Sequence, residues 1–136
     1  MPYPITAQAD DELALLQYLR ATTAVTALVP AANVIQELPP NPIYPYVLIQ
    51  RAGGDQVAPD IDDAAIQVDV LAATRGAAKR LALVVRAAIL AIANDQVPEA
   101  VLCSAAQEIG PQWLPDTIPT PPQPRYTARY SIILHK

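Results

Sequence analysis

The sequence predicts an α+β fold, with one domain in which a mostly antiparallel β-sheet of about four to five strands packs against two helices. Segments 46–51, 66–70 and 125–134 are predicted strands, and the last two alternate apolar with polar side chains, which is the period of a strand with one buried face. After the second segment the apolar period changes to 3.6, which is typical of a helix. The length of 136 residues fits one domain with a sizeable core. We therefore expect one domain over residues 1–136 with the element order α-β-β-β-α-β-β.

The N-terminal part predicts one helix and one short strand. Asp10 and Asp11 precede the segment ELALLQYLRA, whose leucines recur at helical spacing, and acids at this end favour the positive pole of the helix dipole. An irregular helical turn follows and stops at Pro30. The segment ANVIQEL then predicts a short strand that ends at Pro39-Pro40.

The middle of the chain predicts a β-hairpin. Val47, Ile49 and Arg51 share one face of its first strand, and Gly53-Gly54 are expected to release the chain into an acidic loop. This loop holds Asp55, Asp60, Asp62 and Asp63. In the partner strand Ile66, Val68 and Val70 share a face, so one face of the sheet is apolar and the other mixed.

The long helix is predicted over residues 75–93, with Thr74 as its N-cap. Arg75, Lys79 and Arg86 form a narrow polar stripe, and most of the remaining circumference is apolar. A solvent-facing helix keeps about half its circumference polar. We therefore expect this helix to pack on the sheet and to be covered elsewhere by a neighbouring subunit.

Two further strands are predicted at the C-terminal end, separated by a proline-rich loop at 111–124. Six of the fifteen prolines lie in this loop, which excludes a helix or a central strand and predicts an extended, stiff segment. Trp113, inside the loop, is either an anchor folded back onto the domain or a contact for a partner.

Composition excludes several classes of protein. The net charge of −4 gives no basic surplus for gripping nucleic acid. A single cysteine, Cys103, suits a reducing compartment such as the bacterial cytoplasm. The N-terminus does not resemble a signal peptide, and the longest apolar run is broken by Arg86. Because 52% of the residues are hydrophobic and many are small, we expect surplus apolar surface and a homo-oligomer.

Candidate catalytic and ligand-binding residues give no consistent site. The only histidine, His135, is next to the last residue and has no acidic motif beside it. The aspartates of the hairpin lack the glycine and terminal glutamate of a calcium loop, and phosphate-binding glycine motifs are absent. We expect neither an enzyme, nor a cofactor, nor a metal site.

The charged residues predict an interface instead. Arg75, Lys79 and Arg86 on the long helix are expected to meet the acidic loop of an adjacent copy, where Asp60, Asp62 and Asp63 are the candidates. A head-to-tail ring satisfies both groups at every interface. Trp113 is a further candidate contact.

The motifs PYVLIQRAGGD and IQVDVLAATRGAAKRLALVVRAAI resemble the tail completion or tail terminator family of long-tailed bacteriophages. The match covers Ile43 to Val47, Gln67 to Val70 and Ala78 to Ile89. The resemblance implies a hexameric ring that caps the head-proximal end of the tail tube, stops its polymerisation and joins it to the head. It implies the tail tube protein and head–tail connector proteins as partners, with DNA only passing through the lumen and no membrane. It also implies a place in the tail or neck of a virion assembled in the host bacterial cytoplasm.

Two alternatives remain. A head–tail connector adaptor would have the same ring symmetry but would dock on the portal side. A small ligand-binding or enzyme domain would be a monomer or dimer with a polar pocket.

Overall fold

Six strands form one sheet in the order β1-β2-β3-β6-β5-β4 in the computed structural model, which describes residues 7–118 and 121–136. All neighbouring strands are antiparallel except β1, which runs parallel to β2. The elements in chain order are α1 (Asp11–Ala21), α2 (Thr23–Thr26), a 3₁₀ turn (Ala31–Asn33), β1 (Val34–Ile35), β2 (Tyr46–Ala58), β3 (Ile61–Leu71), α3 (Arg75–Leu90), β4 (Ala93–Gln96), β5 (Val101–Trp113) and β6 (Arg125–His135). The α+β prediction is confirmed, with one strand more than expected. Part of the predicted proline-rich loop and the first six residues lie outside the described residues.

The core lies between the helices and one face of the sheet. In β6 every second residue is buried, and these are Tyr126, Ala128, Tyr130, Ile132 and Leu134. The apolar residues predicted on one face of β2 and of β3 are buried as well, whereas Arg51, predicted on the same face as Val47 and Ile49, is exposed. Helix α3 supplies Leu81, Val85 and Ile89, which pack against them. The alternation in the sequence therefore predicted the buried face correctly.

Helix α3 is shorter than predicted. Thr74 caps it as expected, because its side chain accepts a hydrogen bond from the Ala77 backbone N–H at 3.2 Å. The helix ends at Leu90, however, and not at residue 93. Asn94 then adopts a positive φ of 55°, a conformation that asparagine tolerates better than most residues. The residues after the helix form β4, an edge strand that the sequence prediction missed.

The predicted acidic loop of the central hairpin is wrong. Strands β2 and β3 continue almost to their turn, so that only Pro59 and Asp60 lie between them. Gly53 and Gly54 directly follow a register shift inside β2, pair with Ala65 and Ala64, and have φ values of 146° and 118°. A Cβ atom on Gly54 would lie 2.1 Å from the Asp63 carbonyl oxygen, so this position requires glycine.

The proline-rich loop begins later than predicted. Strand β5 continues through Pro111 to Trp113. Among the described residues, β4 pairs with β5 only near its start, so Pro111 lies on a part of β5 with a strand on one side only. Beyond it, Asp116 and Gln123 pair across the loop, and the Leu114 N–H bonds to the Arg125 carbonyl oxygen at 3.0 Å. The loop is therefore held to the end of the sheet.

Candidate interaction surfaces on the two flanks of the sheet

One flank of the sheet, formed by β2 and the start of α1, carries a network of charges around Arg51. The Arg51 Nη1 and Nη2 atoms donate to the two carboxylate oxygens of Asp62 at 2.5 and 3.1 Å. The same Nη1 donates to Asp11 Oδ2 at 3.3 Å. Burial raises the pKa of the Asp11 carboxyl group, and the charge of Arg51 lowers it in part. This network joins the first turn of α1 to the hairpin.

The three predicted acidic contacts differ in their surroundings. Asp62 is 5% exposed and bound to Arg51, and Asp63 accepts a hydrogen bond from Ser131 Oγ at 2.5 Å. Asp60 is exposed at the turn of the hairpin. In the described part of the chain, no group of three or more His, Cys, Asp or Glu side chains is placed to hold a metal ion. Of these three aspartates, only Asp60 therefore has a carboxylate without a partner in the described part of the chain.

The opposite flank, formed by α3 over β5 and β6, carries the predicted basic residues. The Arg75 guanidinium stacks over the Trp113 ring, 4.4 Å from its centroid, and Arg75 Nε donates to the Tyr126 hydroxyl group at 3.3 Å. The Trp113 and Tyr126 ring centroids are 5.4 Å apart. Trp113 is thus folded onto its own domain, with 37% of its surface exposed.

The remaining basic residues of α3 point outward or towards β5. Arg86 Nε donates to Gln107 Oε1 at 2.5 Å, which joins the middle of α3 to β5. Lys79 and Arg80 are exposed. Within residues 7–118 and 121–136, the ion pairs are those of Arg51, and none joins α3 to an acid. The structure therefore places the basic and the acidic candidates on different flanks and does not bring them together within one subunit.

Arg51 and Asp11 are the important charged residues that the sequence prediction missed. Arg51 follows Val47 and Ile49 on the core-facing side of β2. A charged residue that follows buried residues at every second position of a strand indicates that its charge has a partner of opposite charge near the core, and this pattern could have identified the pair.

Several large apolar side chains stay exposed on both flanks and on the loop. They include Val57 on β2, Leu83 on α3, Ile109 on β5, and Leu114 and Ile118 on the proline-rich loop. Ile118 is 92% exposed. Single exposed apolar side chains on separate elements are common on protein surfaces and do not by themselves mark an interface.

A cleft of about 210 Å³ lies between the start of α3 and the entry to β2. Its walls include Leu28, Pro45, Ala72, Ala77 and Leu81, and Arg80 is its charged residue. A binding site for a polar substrate needs several polar groups aimed at one point, and these walls are mostly apolar.

Among the described helices, none is long and apolar enough to cross a membrane.

Comparisons with known proteins agree with this geometry. A chain of the "Virion of native gene transfer agent (GTA) particle" has the same fold, with 22% identity, a TM-score of 0.61, and coverage of 93% of this chain and 95% of that chain. A comparison with curated protein sequences gave no match. The family described as "Tail completion protein gp17" matches residues 13–108. This is a family of structural phage proteins and not of enzymes. The protein therefore belongs to the tail completion protein gp17 family, and the resemblance found in its motifs is confirmed.

Proposed function

We propose that this structural virion protein is a tail terminator. It forms a ring, hexameric by the resemblance, that caps the head-proximal end of the tail tube, ends polymerisation of the tube and joins the tail to the head. Its partners are the tail tube protein and the head–tail connector proteins, and its place is the tail or neck of a virion assembled in the bacterial cytoplasm. The family match over residues 13–108 supports the tail role.

The ring itself rests on one structural observation, which is the separation of charge between the two flanks. Helix α3 has four basic residues and no acidic one, and it lies over β5 and β6. The acids Glu12, Asp55 and Asp60 lie on the β2 flank, whereas Glu108 is an exposed acid on β5, so the basic patch is that of α3 alone. Complementary patches on opposite flanks favour head-to-tail contacts between identical copies, and such contacts close into a ring when the rotation permits.

The candidate contacts have unequal weight in this proposal. Lys79 and Asp60 are exposed, and Arg75 and Arg86 use their Nε atoms for their internal hydrogen bonds. The exposed part of Trp113 lies beside Arg75. Asp62 and Asp63, in contrast, stabilise the hairpin of their own subunit.

DNA passes through the lumen of this ring without being bound. A net charge of −4 per subunit repels the phosphate backbone and gives no attractive electrostatic term.

Negative-stain electron microscopy of the purified protein, alone and mixed with its tail tube protein, tests the proposal. We expect rings, or caps on the tube ends with shorter and more uniform tubes. Lys79→Glu with Arg80→Glu should weaken both. Arg129→Glu, a charge reversal outside α3, serves as the control. Tubes of unchanged length without caps would contradict the terminator role, and binding to the connector alone would support the adaptor on the portal side.

A further inference from the structure

We infer that neighbouring subunits join by strand addition, in which residues 52–58 of β2 in one copy pair antiparallel with residues 105–111 of β5 in the next copy. The inference rests on the proposed ring and adds the contact that builds it. The result is one β-sheet that continues from subunit to subunit.

The evidence begins with two free edges in the same sheet. Strand β1 pairs with β2 only at Val47 and Leu48, and the Glu12 carboxylate accepts a hydrogen bond from the Arg51 backbone N–H at 2.6 Å. Among the described residues, the rest of β2 has a strand partner only on its β3 side. On the other flank, β4 pairs with β5 only up to Ser104, and residues 105–113 have β6 on one side.

These edges are long and only partly protected against pairing. Proteins protect exposed edge strands with short strands, charged side chains, proline or β-bulges. Strand β2 has 13 residues, with Asp55 and two register shifts, and β5 has 13 residues, with Glu108, Pro111 and three register shifts. Edges of this length leave enough backbone to accept another strand.

The strand directions also agree. Strands β2, β3, β6 and β5 alternate in direction across the sheet, so β2 and β5 of one chain are antiparallel. A neighbour related by rotation about a ring axis keeps its strand directions relative to that axis. Its β2 therefore meets β5 in the antiparallel sense and continues the alternation.

The short strands β1 and β4 determine the offset. Through the pairs across the sheet, Gly54 is level with Ala105 and Ala58 is level with Val101. If two copies paired with these residues side by side, the end of β2 of one copy would meet β4 of the other. Sliding the incoming strand by about four residues sets 52–58 opposite 105–111 and moves its β1 beyond Trp113. The free lengths on the two edges then match.

The same offset sets Asp60 level with Cys103 and Asp55 opposite Glu108, so the paired edges gain no pair of unlike charges and the contact rests on backbone hydrogen bonds. The exposed side chains of Val57 and Ile109 also fall inside the paired segments and gain cross-strand neighbours.

Cross-linking tests the pairing directly. In a Cys103→Ala background, Val57→Cys is combined with Ala106→Cys, because these two positions lie opposite each other in the proposed pairing. The protein is then treated with a bismaleimide that spans about 7 Å, which is the length of two residues along a strand. With tail tube protein present, we expect a ladder of linked chains that ends at one closed species. Each single cysteine variant should stay unlinked. A dimer from Val57→Cys alone would show pairing of two β2 edges and would overturn the inference.

Electron microscopy of the same samples separates this inference from the proposed function. Rings or caps without the β2–β5 cross-link would overturn the edge pairing and leave the terminator role intact. The cross-link without rings or caps would support the pairing and contradict that role. Samples with neither would overturn both.

A proline variant gives an independent readout. Val57 lies at a register shift in β2 and has no partner residue in β3. Val57→Pro should therefore preserve the fold, with a thermal midpoint close to that of the control Val57→Thr, but should lose the caps on the tube ends. Caps formed equally well by both variants would contradict the inference.

Discussion

Arg51 and Asp62 form a two-point ion pair between adjacent strands, with both nitrogen atoms of the guanidinium group bound to the two oxygens of the carboxylate. The Asp62 side chain is 7% exposed and the Arg51 side chain 34%. The hydrogen bond to Asp62 raises the pKa of Arg51, so the guanidinium group stays charged. The start of α1 is joined to the same pair through Asp11.

Arg51→Met should lower the free energy of unfolding by about 2 kcal/mol, because it leaves Asp62 buried without its cation. The partial exposure of Arg51 limits the loss. Chemical denaturation measures it. Arg80→Met, at an exposed position, should change stability by less than about 0.5 kcal/mol. Adding Asp62→Leu to Arg51→Met should recover part of the loss, and equal stability of Arg51→Met and the unmodified protein would contradict the assignment.

Gly54→Ala should cost about 2 kcal/mol or more, because its Cβ would overlap the Asp63 carbonyl oxygen and because φ is positive. Gly76→Ala is the matched control. A Cβ there meets nothing within 4 Å, and alanine in the first turn of α3 should stabilise by about 0.5 kcal/mol. Denaturation curves of the two variants should therefore shift in opposite directions, and a shift in the same direction would count against the β2 geometry.

Arg75→Gln should move the fluorescence emission of Trp113 to longer wavelength, because the indole ring loses the guanidinium that covers it. The loss of stability should be about 1 kcal/mol or less for a partly exposed cation–π contact. Trp113 is the only tryptophan, so the signal has one source. Lys79→Gln, one turn further along α3, should leave the emission unchanged, and a similar shift in both variants would contradict the stacking.

Tyr46 and Tyr130 should ionise late, because burial raises their pKa values to about 12. Below pH 10 both the folded and the unfolded states hold these protons. Between pH 10 and about 12 the unfolded chain releases them while the folded protein keeps them, so stability falls as the pH rises. Tyr130→Phe should make that fall shallower in denaturation curves recorded across this range. An unchanged pH dependence would show that Tyr130 ionises freely in the folded state.

Much of the fold was predictable because it depends on local periodicity. The alternation in β6 and the N-cap at Thr74 are properties of neighbouring residues, and both were predicted correctly. The acidic loop was predicted wrongly because paired glycines with positive φ serve turns and bulges equally well, and only pairing with β3 distinguishes the two. Strand β4 has a polar sequence, ANDQ, without a strand period, and its pairing with β5 alone makes it a strand.

The partners of the charged residues were less predictable for a similar reason. Asp62 and Asp63 are adjacent in sequence and point to opposite faces of β3, one towards Arg51 and the other towards Ser131. Which residues face them depends on the register of three strands, and that register depends on the whole sheet. The motifs of the family, in contrast, lie in the hairpin and α3 and could be recognised in the sequence.

The two short strands at the ends of the sheet also bear on solubility. Amyloid grows when identical strands stack in register with full-length edges and without an end. Strand β1 occupies the start of the β2 edge and β4 occupies the start of the β5 edge, so neither edge is open over its whole length. Two strands of only two and four residues thereby limit the length of edge that identical copies could stack into a fibre.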